Sequence, residues 1–342
     1  MSIKEVLSMV RPHLLGLQPY SSARDEFDQS VVETTKFTYL DANENPFNTD
    51  HNRYPDPHQR ELKRLISGIK GIPGDQIFLG NGSDEAIDLI IRLFCNEGDS
   101  VTIPSPTYGM YEVSAKINNV KLNKVVLTED FELPGTDFDG KIIFLCSPNN
   151  PTGNLLDVQS VLDRSKGIVV VDEAYIDFTT NPGLTKKLSD YPNLVVLQTF
   201  SKAWGLAGLR LGIAFAHPEI IALINKIKPP YNISSATQRL AAQAFAKIDD
   251  MKKAVATIVT ERQRLTAELS RLPVVKKVFH SEANFILVRF NYDPIDAYRQ
   301  FIKDEIVVRD RSNVVRCEDC MRITVGTPEE NDRVIATVKK FI

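Results

Sequence analysis

Between residues 77 and 202 the chain breaks repeatedly into short apolar runs with no polar alternation: "IFLG", "SVTIP", "KIIFLC", "GIVVV" and "LVVLQ". A strand with one face in water alternates apolar and polar residues, whereas a strand without alternation needs cover on both faces. The segments between the runs carry helical patterns, as in "SDEAIDLIIRLFC", "TYGMYEVSAKI" and "DVQSVLDRS". Strands that alternate with helices predict an α/β fold on a mostly parallel, doubly wound sheet with helices on both faces. At 342 residues the chain is long enough for about two domains and needs no disulfides to stabilise its core.

Upstream, "YPDPHQRELKRLISGIKG" is helical, with Leu62, Leu65, Ile66 and Ile69 spaced for one face. Pro55 and Pro57 set its start; Gly71 and Pro73 end it. Residues 1–40 carry few signals. After about residue 230 the pattern changes. A long helix places Met251, Val255, Ile258, Leu265, Leu269 and Leu272 on one stripe. "NFILVRF", a helix from Pro294, "IVVR", "MRITVG" and a final helix follow. This predicts a smaller α+β domain, with the long helix as the bridge to it.

The net charge of −3 gives no general affinity for nucleic acid or anionic membranes. No stretch approaches the ~20 apolar residues of a membrane span, and the N-terminus lacks a signal-peptide core. Cys95 and Cys146 lie in apolar runs and read as core thiols. Cys317 and Cys320 form one Cys-x-x-Cys with no second pair, so no metal is expected. Sparse cysteine fits a soluble, reduced, cytoplasmic protein.

In doubly wound sheets, ligands sit beyond the C-terminal strand ends, and the unusual residues cluster there. "IFLG" is followed by Gly82, Ser83 and Asp84, which read either as a helix cap or as an anion site at a helix N-terminus. "SVTIPSP" leads to Tyr108, a packing aromatic or a flat face for a ring. "KIIFLC" leads into "SPNNPTG", a turn that also leaves the Asn150 amide at a strand end. Asp172 closes an Ile/Val run and needs a partner, and Tyr175 follows three residues later. Thr199, Ser201, Lys202 and Arg210 follow the last run. Lys202 stands among small and apolar residues, where an ammonium is costly unless paired or deprotonated. One ligand fits the whole set: a pyridine ring with a phosphate arm, a phenolic oxygen and an aldehyde for lysine, which is pyridoxal phosphate.

These stretches also resemble a known family. "LQPYSSAR" (residues 17–24), "LDANENP" (40–46), "RYPDP" (53–57), "GNGSDEAID" (80–88), "PNNPTG" (148–153), "VDEAY" (171–175), "TFSKAWGLAGLRLG" (199–212), "ANFILV" (283–288) and "MRITVGT" (321–327) span nearly the whole chain. The chain resembles fold-type I, pyridoxal phosphate-dependent aminotransferases, and within them the histidinol-phosphate aminotransferase family. The resemblance implies that Lys202 forms the Schiff base and shuttles the proton. It implies that Asp172 pairs with the pyridine nitrogen, that Asn150 and Tyr175 bond the ring oxygen, and that Tyr108 stacks on the ring. Ser83, Asp84, Thr199, Ser201 and Arg210 would hold the cofactor phosphate. Tyr54 would reach it from a neighbouring subunit, making a homodimer functionally necessary. Arg309 and Arg322 match the family's binders of substrate phosphate and carboxylate, and Tyr20 and Asn43 match further substrate positions.

The implied organisation is an N-terminal arm with part of the small domain (1–39), a large cofactor-binding domain (40–235) and a small C-terminal domain (236–342). The implied reaction is transamination between L-histidinol phosphate and 2-oxoglutarate in histidine biosynthesis. An aromatic aminotransferase or a threonine-phosphate decarboxylase would use the same machinery. A non-catalytic ligand-sensing domain of this fold would carry an added DNA-binding domain, and the chain shows neither such an extension nor a basic patch. The stretch "RCEDC" between Arg309 and Arg322 matches no family landmark.

Overall fold

The computed structural model describes residues 1–20, 38–136 and 138–341. The landmark at 17–24 therefore lies outside the described residues from residue 21 onward. Seven strands form the larger sheet: β1 (Ile77–Asn81), β2 (Ser100–Ser105), β3 (Lys121–Val126), β4 (Ile142–Cys146), β5 (Ile168–Asp172), β6 (Leu194–Thr199) and β7 (Leu211–Phe215). Their order is β1-β7-β6-β5-β4-β2-β3. The β3–β2–β4–β5–β6 ladder is parallel, and β7 runs antiparallel to both β6 and β1.

Every residue of β4, β5, β6 and β7 is buried. Successive side chains point to opposite faces. Ile142, Phe144, Ile168 and Val170 enter one core, while Ile143, Leu145, Val169 and Val171 enter the other. Both faces are dry, so polar alternation is absent. The helix Ser83–Phe94 covers the first face through Ile87, Ile90 and Ile91. The helix Arg60–Lys70 covers the second through Leu62 and Ile66, and Gly71 ends it in the left-handed region at φ 68°.

Two strands of this sheet escape the sequence pattern. β3 is a half-exposed edge whose Lys121 and Lys124 suit an unpaired border. β7 returns the chain from the Lys202 loop, pairing Thr199 with Gly212 and Gly212 with Gly80. Gly212 is required there: a Cβ on it would lie 2.2 Å from Gly82 C and Ser83 N. The return strand thereby brings Arg210 to Gly82, whose N–H donates to the Arg210 carbonyl at 2.7 Å.

The second sheet is antiparallel, with order β10-β11-β9-β8: β8 (Val275–Val278), β9 (Phe285–Phe290), β10 (Arg309–Asp310) and β11 (Cys320–Thr324). "IVVR" is shorter as a strand than the sequence suggests, because only Arg309 and Asp310 join the ladder. The helices Pro294–Lys303 and Pro328–Val338 carry Phe301 and Val338 into this sheet's core. The helix Ile248–Ser270 joins the two cores. Its Met251, Val255 and Ile258 pack on the larger sheet's core, and its Leu265 and Leu269 are buried in the smaller. The N-terminal residues hold more order than their sequence signals. Ser2 and Glu5 form a capping box for the helix Ile3–Ser8, and Val6 and Val10 are buried in the larger sheet's core.

Candidate active site

A cavity of about 740 Å³ opens at the C-terminal ends of the parallel strands. It brings together Ser83, Asp84, Tyr108, Asn150, Asp172, Tyr175, Thr199, Ser201, Lys202, Arg210, Arg309 and Arg322, all singled out in the sequence.

Asp172 ends β5 and is buried. The Tyr111 hydroxyl donates to its Oδ2 at 2.7 Å, and Ala174 N donates to its Oδ1 at 3.0 Å. Burial raises the Asp172 pKa to about 6, while these two donors pull it down. Tyr111 is itself fully buried, stacked on Phe144 at 4.8 Å and edge-on to Tyr108 at 5.5 Å. The sequence reading missed Tyr111. Its signal is the Tyr108–Tyr111 spacing of three across the start of the helix Met110–Ile117, where the Tyr111 N–H donates to the Tyr108 carbonyl at 3.4 Å.

Lys202 projects from the loop between β6 and β7 and is exposed to the cavity. Its Nζ lies 5.5 Å from the Tyr175 ring centroid. Protein surrounding the ammonium lowers its pKa first, and the positive Arg322 lowers it further. Burial raises the Tyr175 pKa. The two asparagines of "PNNPTG" have separate tasks. Asn149 is fully buried and ties the turn together, donating to the Pro106 carbonyl at 3.0 Å and accepting from Thr107 Oγ1 at 2.9 Å. Asn150 faces the cavity: its Nδ2 donates to Tyr175 Oη at 3.3 Å, and its Oδ1 accepts from Arg322 Nη1 at 2.5 Å.

The start of helix Ser83–Phe94 forms an anion cradle. Its N-cap is Gly82, and no side chain caps it, so the capping reading of Ser83 and Asp84 does not hold. The first N–H groups of a helix have no partner within it and favour an anion. Asp84 turns its carboxylate aside, accepting from Tyr108 Oη at 3.1 Å and from Arg210 Nη2 at 3.5 Å. Thr199 Oγ1 donates to Ser201 Oγ at 3.0 Å on the adjacent side. A Cβ on Gly82 would stand 2.6 Å from Arg210 Nη2, so glycine keeps the guanidinium close to the helix start. Hydroxyls, helix N–H groups and a guanidinium suit a phosphate. The buried Asp172 suits a protonated ring nitrogen, and Lys202 suits an aldehyde. The residues present fit pyridoxal phosphate.

The opposite wall belongs to the smaller sheet. Arg309 and Arg322 are cross-strand partners in β10 and β11. Arg322 also lies over the Phe285 ring, 5.3 Å from its centroid. Arg311, which the sequence reading passed over, lines the same cavity. The Arg-x-Arg spacing is its signal, since alternate residues of an extended segment share a face.

Three expected residues stay outside this cavity within one protomer. Tyr20 is 72% exposed. Asn43 and Tyr54 line a separate depression, where Tyr54 stacks on Tyr231 at 4.4 Å. Cys317 and Cys320 are both buried in the larger sheet's second core as free thiols. Among the described residues, no helix is long and apolar enough to cross a membrane.

The fold is that of an aminotransferase. The family model "Aminotransferase class I and II" matches residues 30–338, and the chain belongs to that family. The histidinol-phosphate aminotransferase of Parabacteroides distasonis is 53% identical, with 99% of each chain covered. Among solved structures, the histidinol-phosphate aminotransferase of Clostridium acetobutylicum superposes with a TM-score of 0.78 at 27% identity, covering 85% of this chain and 90% of that one. The histidinol-phosphate aminotransferase of Sinorhizobium meliloti, in complex with pyridoxal-5'-phosphate, shares the fold with a TM-score of 0.75 at 24% identity, covering 85% and 83%.

Proposed function

We propose that the protein exchanges an amino group between L-histidinol phosphate and 2-oxoglutarate, giving imidazole-acetol phosphate and glutamate, and runs in the reverse sense in histidine biosynthesis. The observation that carries this reading is one cavity holding a lysine, a buried carboxylate and an arginine-lined wall. When bound, pyridoxal phosphate supplies an aldehyde for an amine and a ring that withdraws the electron pair left when a proton departs the substrate carbon.

The chain's residues do the rest. Lys202 is the covalent anchor and the base: its lowered pKa leaves more of the amine free to take a proton and return it. Asp172 keeps a ring nitrogen protonated by pairing with it, and Tyr111 holds that carboxylate in place. Asn150 and Tyr175 present an amide and a phenol to the ring oxygen. Tyr108 offers its ring for stacking. Ser83, Asp84, Thr199, Ser201 and Arg210 hold the phosphate arm. Arg309 and Arg322 take the substrate's phosphate or the carboxylate of glutamate, which suits an enzyme that alternates between them.

Tyr54 belongs to the phosphate site of a neighbouring protomer in a homodimer, and Tyr20 and Asn43 to the substrate side. The domain division at residues 39/40 and 235/236 and a cytoplasmic location are part of the same reading. The test compares kcat/KM on histidinol phosphate, phenylalanine and threonine phosphate. Preference for histidinol phosphate is expected. Preference for phenylalanine would replace the substrate and leave the chemistry in place.

A further inference from the structure

Arg309, Arg311 and Arg322 line one wall of the cavity, and among the described residues none has a carboxylate within ion-pair distance. Arg322 gives one N–H to Asn150. Asp310, between the other two, accepts instead from Ser312 N at 2.8 Å. The Arg311 Nε is buried with no hydrogen-bond partner. A guanidinium does not shed its proton in a protein, so these charges repel one another until an anion joins them.

The backbone of Arg311 is fixed in the smaller sheet. Its N–H donates to the Cys320 carbonyl at 2.9 Å, extending the β10–β11 ladder by one residue. The loop that follows is pinned from below by Cys317 and Cys320, both 0% exposed. Arg289 clamps the same loop, donating to the Arg316 carbonyl at 2.6 Å and to the Glu318 carbonyl at 3.0 Å. The "RCEDC" stretch is thus the anchor of the segment that carries Arg311.

We propose that Arg311 is a specificity residue that lets the cavity discriminate a phosphate monoester dianion from a carboxylate. The proposal rests on the substrate reading above and deepens it. A carboxylate has two oxygens and one charge, which two guanidiniums satisfy. A phosphate monoester has three terminal oxygens and a charge of about −1.5 to −2 at pH 7, and a third guanidinium meets the remainder.

The test uses the cofactor-loaded enzyme, with Arg311→Gln and Arg311→Lys. Single-turnover efficiency is measured for histidinol phosphate, for histidinol and for glutamate, and inorganic phosphate is titrated in by calorimetry. Arg311→Gln is expected to lower efficiency on histidinol phosphate by about 10- to 100-fold, the range for one charge-assisted hydrogen bond. That loss exceeds the loss on glutamate about tenfold, phosphate binding weakens in step, and Arg311→Lys recovers part of it. Equal losses on both substrates, or no loss, overturn the proposal. If Arg311→Gln fails to fold or to retain the cofactor, the same ratio measured on Arg311→Lys decides. A wild-type enzyme that does not prefer histidinol phosphate over histidinol instead defeats the parent substrate reading. A wild-type preference retained in Arg311→Gln defeats only the role of Arg311.

Discussion

On the larger sheet's wall of the cavity, Asp172 accepts from Tyr111 and Ala174, Asp84 accepts from Tyr108 and Arg210, and Thr199 is bonded to Ser201. On the smaller sheet's wall, the Arg309 and Arg311 side chains have no polar partner among the described residues. The first wall is organised before any ligand arrives. The second holds charge in reserve for a ligand that comes and goes. Transamination needs this division, because the cofactor stays in place while two differently shaped anions alternate opposite it. Losses on the first wall should strike every substrate alike; on the second, the loss should be shared by both anions at Arg322 and should depend on the anion at Arg311.

The largest expected effect is on the first wall. Lys202→Ala removes both the covalent anchor and the base, and should cost at least 10²–10⁴-fold in turnover, the usual range for a positioned base alone. It should also remove the visible absorbance of the anchored cofactor. Normal turnover by this variant would sink the assignment of Lys202.

Asp172 offers a test through pH. Its folded pKa of about 6 lies above the ordinary 3.8, so the native state binds more protons than the unfolded chain between those values. The stability it contributes is full below about pH 4 and is lost as pH rises through about 6, a difference on the order of 3 kcal/mol in the cofactor-free protein. Asp172→Asn should flatten this part of the profile. Urea titrations of both proteins at pH 4.5 and pH 7 read the difference. An unchanged slope would mean that the carboxylate is not buried uncompensated.

Arg322→Gln turns to the second wall. Removing one charge-assisted hydrogen bond to the anion should lower both half-reactions by about 10- to 100-fold, since both anions meet Arg322. Loss in only one would assign Arg322 to that substrate alone and break the contrast with Arg311.

Much of this organisation was readable from the chain because burial leaves a mark on composition. β1, β2, β4, β5 and β6 announced themselves by unbroken apolar runs, and Asp172 and Lys202 by standing at the ends of such runs. β7 was hidden because its "LGIAF" follows directly on the glycine-rich lysine loop and reads as more of it. Its antiparallel course is set by pairing with β1 and β6, which are distant in sequence. β3 was hidden because an edge strand keeps polar residues. Tyr111 went unnoticed for the opposite reason to Lys202: an aromatic residue in an apolar helix is ordinary, and only the 2.7 Å contact reveals its task. Arg311 lies just past a two-residue strand, too short for a run to build up, so its mark in the sequence is the bare two-residue spacing from Arg309.

Tyr111→Phe is the finest probe of the prebuilt wall. It deletes one oxygen and preserves the ring that stacks on Phe144. The packing stays, so a purely structural role for Tyr111 predicts little change. Asp172 Oδ2 would lose its hydroxyl donor, and that donor is the largest influence opposing burial at this carboxylate. The Asp172 pKa should therefore rise further, and the carboxylate should be charged less often near neutral pH. Cofactor affinity should weaken by about tenfold, the scale of a single hydrogen bond to a charged group. The acid limb of the kcat profile should move to higher pH, with KM values for both substrates shifting together. Both substrates respond alike because Tyr111 touches neither and acts through Asp172 alone. A shift for one substrate only would mean that the two walls are coupled through Asp172, and the contrast between them would have to be redrawn.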